Sequence, residues 1–237
     1  MAPPFSLAAA DVRVVLCDIE GTTTPIAFVH DVLFPYARAR IQSFIDAHED
    51  DLEVRTILHD LRAEHQATSR EPRTADLVSY ISGLMDRDRK SGPLKALQGL
   101  MWEAGYATGE LKGEVYPDVQ PAFERWTSSG VRVATFSSGS VLAQKLLFGH
   151  STSGDLTRYL TGYFDTSVGP KHDAGSYAGI ARALDVPAAR VLFLSDVVAE
   201  LEAARSAGLQ ALLSIRPPAH PPESSVAFIE TFDAIIS

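Results

Sequence analysis

Short runs of branched and aliphatic residues recur along the chain, each ending in a polar or glycine-containing step. They are Val12 to Cys17 (VRVVLC), Val131 to Ser137 (VRVATFS), Tyr163 to Val168 (YFDTSV), Val191 to Ser195 (VLFLS) and Ala211 to Ile215 (ALLSI). Runs this short and this apolar predict strands buried on both faces. Stretches at helical spacing separate the later ones: SVLAQKLLF from Ser140, SYAGIARAL from Ser176, and AELEAARSAG from Ala199, closed by Gly208. Strand–helix–strand alternation predicts an α/β fold with a parallel, doubly wound, Rossmann-like sheet.

Between about Phe28 and Val115 the pattern changes. Ala, Leu, Arg, Asp and Glu dominate, and apolar residues fall at helical spacing, as in Leu77, Ile81, Leu84 and Met85. So long a stretch without a β-branched run predicts a helical insertion between the first and second strands rather than a structureless loop. The expected division is residues 1–24 and 117–237 as the core and residues 25–116 as a helical cap, with Gly113 to Pro117 returning the chain. RPPAHPPESS (Arg216 to Ser225) reads as a proline-rich connector.

Composition narrows the class. With 237 residues, 46% hydrophobic and 22% charged, the chain has the make-up of a globular protein with a sizeable core. A formal charge of −9 argues against nucleic acid or an anionic membrane as partner, though a local cationic site remains compatible with it. One cysteine, Cys17, permits no intrachain disulfide and is expected to fill the core. No basic, apolar leader opens the sequence and no run reaches the ~20 residues of a membrane span, so a cytoplasmic monomer is expected.

In an open parallel sheet, ligands bind beyond the carboxyl ends of the strands. Asp18 and Glu20 follow the first predicted strand in DIEGTTT, and Ser137 and Ser138 end the second in FSSGS. Lys171 follows the third in VGPKHD, and Asp196 closes the fourth in FLSDVVAE. Singly, such residues are caps, turns and surface charges. Jointly they are the parts of phosphoryl transfer. A carboxylate nucleophile splits hydrolysis into formation and breakdown of an acyl phosphate, and Mg²⁺ on oxygen ligands relieves its repulsion from the phosphate. Asp18 and Asp196 supply such oxygens. Ser137, Ser138 and the N-terminus of the following helix suit phosphate oxygens, and Lys171 offers a compact positive charge. Glu20 is placed to protonate a leaving oxygen and then deprotonate water. Glu200, one helical turn past Asp196, is either an exposed helix charge, a brace for Lys171 or a holder of metal-bound water. The seven histidines lack metal-ligand spacing, and no Walker A or G-x-G-x-x-G motif occurs. His48 to Asp51 reads as a solvated helix end, and Trp102 as a core residue of the insertion.

Asp18 to Ala37, Leu94 to Val119 and Ser137 to Leu156 resemble the bifunctional enolase-phosphatases of methionine salvage (acireductone synthases), a family of the haloacid dehalogenase superfamily. Glu rather than Asp two places after the nucleophile marks that family. The resemblance implies a haloacid dehalogenase core and one active site that enolises 2,3-diketo-5-methylthiopentyl-1-phosphate and then removes its phosphate. It implies Asp18, Glu20 (partly through its backbone carbonyl) and Asp196 as Mg²⁺ ligands, and Ser137, Ser138 and Lys171 as substrate contacts. Two departures stand beside Lys171: the preceding VGP, and Asp173 where Glu is expected. Other readings are a phosphatase for another small phosphomonoester, a haloacid dehalogenase proper, and a catalytically silent binding module.

Overall fold

The computed structural model describes residues 4–68, 76–87, 89, 91–219 and 227–237. Two compact units emerge, Met1–Ile26 with Lys112–Ser237, and Ala27–Leu111.

The first unit holds a six-stranded parallel sheet in the order β4-β3-β2-β5-β6-β7. Its strands are β2 (Val14–Cys17), β3 (Arg132–Phe136), β4 (Leu160–Phe164), β5 (Val191–Ser195), β6 (Gln210–Ser214) and β7 (Phe228–Ile229). β1 (Phe5–Ser6) and β8 (Ile235–Ile236) pair separately, in parallel. These two strands and β7 are two residues each, too short to carry a period in the sequence. From β2 the chain winds outward through β3 and β4, then returns to the other side of β2 to lay down β5 and β6. The strand order therefore reverses between β2 and β5, the crevice where open α/β sheets bind ligands.

Alternation along the strands sends Val14, Leu16, Ala134, Phe136, Val191 and Phe193 to one face. They pack there with Tyr177 and Ile180 of α7 (Ala174–Ala183) and Leu201 and Ala204 of α8 (Val198–Ser206). Val15, Cys17, Val133, Leu192 and Leu194, of opposite parity, are buried as well. Both faces are covered, which is why these strands read as continuous apolar runs. α5 (Val119–Ser128) packs along β3, and its buried Trp126 donates from Nε1 to Ile235 O at 3.3 Å.

One predicted strand is displaced. Tyr163 to Val168 is mostly loop, and the strand is Leu160–Phe164. Asp165 ends it: one carboxylate oxygen accepts Ser167 N at 2.9 Å and the other Val141 N at 3.3 Å, which turns the chain out of the sheet.

The second unit is helical: a π-helical turn, Phe28–Leu33, runs into α1 (Phe34–Ala47), followed by α2 (Leu52–Thr68), α3 (Leu77–Asp86) and α4 (Gly92–Ala107). Ile41, Leu61, Ile81, Leu84 and Leu97 are its buried centre. Asp76 and Ser91 cap α3 and α4 by accepting Val78 N and Leu94 N, each at 3.2 Å. Trp102 is a core residue, its Nε1 donating to Leu33 O at 2.9 Å. His48 ends α1, stacked on Phe44 at 4.1 Å.

Residues 112–116 pack with the first unit, which puts the seam a few residues inside the 25–116 boundary drawn from the pattern. Gly113 N donates to His150 O at 2.8 Å, and Tyr116 N to Thr23 O at 2.9 Å. Arg216 to Ala219 of the proline-rich connector are described, and its remainder lies outside the described residues. No helix among the described residues is long and apolar enough to cross a membrane.

Gly113 has no room for a side chain, since a Cβ there would stand 2.1 Å from Leu147 O. Gly113→Ala is expected to destabilise the protein by about 1–3 kcal/mol, the range for overpacking against a rigid backbone. Urea unfolding followed by circular dichroism measures it.

Candidate active site

β2 and β5 run in register, Cys17 opposite Leu194, and Asp18 N continues the ladder by donating to Leu194 O at 2.8 Å. Asp18 and Ser195 thus stand side by side at the reversal point. By parity Asp18 continues the face of Val14 and Leu16, and Ser195 that of Val191 and Phe193, toward α7 and α8.

Asp18 is buried. Its Oδ1 accepts Lys171 Nζ at 2.6 Å and Ile19 N at 2.7 Å, and Ser195 Oγ lies 3.3 Å from Oδ2. Lys171 Nζ also contacts Glu200 Oε2 at 2.7 Å, and Ser195 Oγ lies 2.9 Å from the same oxygen. Glu200 is therefore the brace of Lys171, not an exposed helix charge. Burial opposes the charge of Lys171, but Asp18 and Glu200 outweigh it and hold the ammonium above its ordinary range.

Lys171 reaches this position from a loop, seven residues past the end of β4 rather than directly after a strand. Gly169, at φ +131, leaves no space for a Cβ, which would meet Ser176 Oγ at 2.3 Å. That hydroxyl donates to Pro170 O at 2.8 Å, and the Tyr177 hydroxyl to Lys171 O at 2.7 Å. The VGP departure is thus the turn that delivers the lysine. Asp173 caps α7 by accepting Gly175 N at 2.8 Å, a role for which Asp is better suited than Glu.

The turn after Asp18 is equally constrained. Thr22, Thr23 and Thr24 all donate their N–H to Ile19 O, Gly21 N donates to Thr24 O, and Thr23 Oγ1 lies 3.2 Å from Asp18 O. Gly21 sits at φ +75, and a Cβ there would meet Asp196 Oδ2 at 2.2 Å. Glycine is required for both reasons, and the contact places Asp196 directly against the loop after Asp18. Glu20, half-buried, bridges to Thr24 across this turn.

Burial, then the charge of Asp18, pushes Asp196 up to about 6, and the same two causes in the same order raise Glu200. Carboxylates held this close with one ammonium among them leave negative charge that a hard cation would offset. Among the described residues no three His, Cys, Asp or Glu side chains converge as a metal group. A site here would draw instead on the Asp18 and Asp196 carboxylates and a backbone carbonyl, an all-oxygen set that suits Mg²⁺ and leaves positions for water and substrate. The residues fit that ion.

Ser137 and Ser138 lie one strand away, past the end of β3. Ser137 is buried; its N–H donates to Phe164 O at 3.1 Å, and its Oγ accepts Gly139 N at 3.0 Å. Ser140 then caps α6 (Val141–Gly149) by accepting Ala143 N at 3.2 Å. Cys17, fully buried, has its thiol pushed up by burial and takes no part.

Arg216, absent from the sequence-based set, stands two residues past the end of β6. Its Nε donates to Thr22 O at 2.8 Å and its Nη1 to Asp118 Oδ2 at 2.6 Å, while the guanidinium lies 4.4 Å from the Tyr116 ring centroid and 4.3 Å from that of Phe232. Applying the carboxyl-end rule to the last predicted strand, Ala211 to Ile215, finds it. Ser195 hides inside its strand, and no local signal separates it from core.

The sequence profile of haloacid dehalogenase-like hydrolases matches residues 12–208. The enolase-phosphatase E1 of Synechococcus elongatus is 52% identical over 87% of this chain and 90% of its own length. The chain belongs to the enolase-phosphatase E1 family of haloacid dehalogenase-like hydrolases. That of Drosophila melanogaster is 50% identical over 86% of this chain and 84% of its own. Among solved structures, the UTR4 protein of Saccharomyces cerevisiae superposes with a TM-score of 0.78 at 36% identity, over 94% of this chain and 99% of that one.

The raised Asp196 carries a sign. Between an unfolded value of ~3.9 and the folded value of about 6, the folded chain binds a proton that the unfolded chain does not. Stability of the metal-free protein therefore rises as pH falls through that window, and the penalty is fully present above it. Asp196→Asn is expected to stabilise the metal-free protein at pH 7.5 by about 1–2 kcal/mol, allowing for partial solvent screening. Near pH 4 the gain should vanish. Thermal unfolding in a chelator at both pH values reads this directly, and equal effects at both would dissociate the gain from Asp196 ionisation.

Proposed function

We propose that this hydrolase is an acireductone synthase, a Mg²⁺-dependent enolase-phosphatase converting 2,3-diketo-5-methylthiopentyl-1-phosphate to 1,2-dihydroxy-3-keto-5-methylthiopentene and phosphate. The observation that carries the chemistry is the Asp18–Lys171–Glu200 arrangement at the strand-order reversal, with Asp196 against the same loop. The substrate rests on the identity to enolase-phosphatases over most of the chain.

In this reading Asp18, Asp196 and the Glu20 backbone carbonyl hold Mg²⁺. Bound there, the ion supplies positive charge that offsets carboxylate–phosphate repulsion and polarises a substrate oxygen. Lys171 neutralises Asp18 in the resting site. As the phosphate arrives, the same ammonium balances the combined charge of nucleophile and phosphoryl oxygens. Ser137 and Ser138 hold phosphate oxygens with the N-terminus of α6. A diketone beside a phosphate-bearing carbon has an acidic α-proton, and its transfer from that carbon to the neighbouring ketone oxygen gives the enol. Asp18 Oδ2 then attacks phosphorus while Glu20 protonates the departing enol oxygen. Glu20, now ionised, deprotonates the water that hydrolyses the aspartyl phosphate and frees Asp18. Residues 1–24 and 117–237 carry the chemistry, and substrate choice falls to the cap, residues 25–116. The acidic surface and the lone buried cysteine suit a cytoplasmic monomer acting on a small phosphate ester rather than on nucleic acid or membrane.

The deciding experiment follows enol absorbance and phosphate release separately. The phosphonate analogue of the substrate, whose C–P bond resists hydrolysis, is expected to be enolised in the presence of Mg²⁺. Phosphate release from the natural substrate with no enolisation of a bound phosphonate would leave a plain phosphatase. Asp18→Asn should lower phosphate release at least about a thousandfold, as expected for a lost nucleophile; a variant within tenfold of the parent removes Asp18 from that role.

Chelation should abolish both steps. Titration calorimetry should show Mg²⁺ affinity falling as pH drops below about 6, where each bound ion must displace the Asp196 proton.

A further inference from the structure

The turn Ser137–Gly139 is held from below by a residue given no role so far. Gln144, the fourth residue of α6, is 2% exposed. Its Nε2 donates both protons to backbone carbonyls, Phe164 O at 2.8 Å and Gly139 O at 3.0 Å, and its Oε1 accepts the Thr135 hydroxyl at 2.7 Å. Two carbonyls on one side require the amide nitrogen there, so Thr135 meets the oxygen. Phe164 O also accepts Ser137 N at 3.1 Å, so one carbonyl joins the start of the turn to the amide that holds its end.

This geometry bears on anion binding through the planarity of the peptide. With the Gly139 carbonyl drawn inward to Gln144, the trans peptide turns the Ser140 N–H the opposite way, outward at the start of α6. Outward N–H groups at a helix N-terminus are donors for phosphate oxygens. Without Gln144, that peptide is free to rotate, and a half-buried carbonyl loses its partner.

We propose that Gln144 is a positioning residue for phosphate binding: it fixes the Gly139–Ser140 peptide, and through it the donors of the turn, without touching substrate. The inference rests on reading the turn as the phosphate site and adds the residue that sets its geometry.

Gln144→Glu keeps the shape and the acceptor for Thr135 but turns lone pairs on both carbonyls. Gln144→Met keeps the length and removes all three bonds. In the full-length protein with Mg²⁺, each is expected to weaken binding of inorganic phosphate by about tenfold or more and to raise KM in parallel. Mg²⁺ affinity should stay within about twofold, because the Asp18–Asp196 side of the rim loses no contact. Thr135→Val, which removes only the hydroxyl, should show a smaller loss, and Thr135→Ser parent-like affinity. A lowered melting temperature with unchanged phosphate affinity in the folded Gln144 variants would make Gln144 a core staple and overturn the proposal. If neither Gln144 variant folds, parent-like phosphate affinity in Thr135→Val overturns it. A parent protein that binds Mg²⁺ but no phosphate removes the phosphate reading of the turn itself, and the proposal with it.

Discussion

Asp18, Asp196 and Glu200 crowd one point of a sheet edge, and the Lys171 ammonium stands in contact with two of them. Like charges at this separation in a partly dry site repel strongly, so everything around them serves to hold the lysine in place. Gly169 makes its turn, Ser176 and Tyr177 grip the backbone on either side of it, and α7 supplies both. The reversal of strand order supplies the crevice, because the connections leaving β2 and β5 run to opposite sides of the sheet order. Asp196 makes no ion pair with the ammonium among the described residues, and burial first, then the charge of Asp18, raises its proton affinity. A site charged in this way is unstable by itself and suited to an anionic ligand that arrives with a cation.

The fold was legible where burial was symmetric. Val191–Ser195 was read to the residue, and β2, β3 and β6 within two, because strands covered on both faces show as unbroken apolar runs. β4 was misplaced because its run continues in sequence as Tyr163 to Val168, while the backbone turns at Asp165 through bonds from its side chain. Such a bond has no signature in hydrophobic pattern. The places of Asp18, Asp196 and Ser137 just past strand ends followed from the rule about carboxyl ends, whereas Lys171 comes from a loop seven residues past β4. Arg216 obeys the same rule and lay at the start of what read as a connector. Gln144 and Ser195 were not legible at all. Each acts by a hydrogen bond formed only when distant segments meet, and in sequence each is one more residue of an apolar helix or strand.

Gly21 shows how one position can answer several demands at once. Its positive φ closes the tight turn that three threonines tie to Ile19 O, and its missing Cβ admits Asp196. Arg216 fixes the same turn from the opposite side, through Thr22 O. The loop after Asp18 is thus held by packing on one side and by charge-assisted hydrogen bonding on the other.

The bond from Tyr116 N to Thr23 O joins the chain just before it leaves for the helical insertion to the chain just after it returns. To the sheet, the whole of Ala27–Leu111 is therefore a loop whose ends already meet. The entropy of closing a loop grows only with the logarithm of its length, so the sheet is nearly indifferent to what is threaded between those two residues. Insertions of other sizes and shapes could occupy the same doorway at little thermodynamic penalty to the catalytic scaffold. Change can in this way gather in the insert and leave the frame untouched.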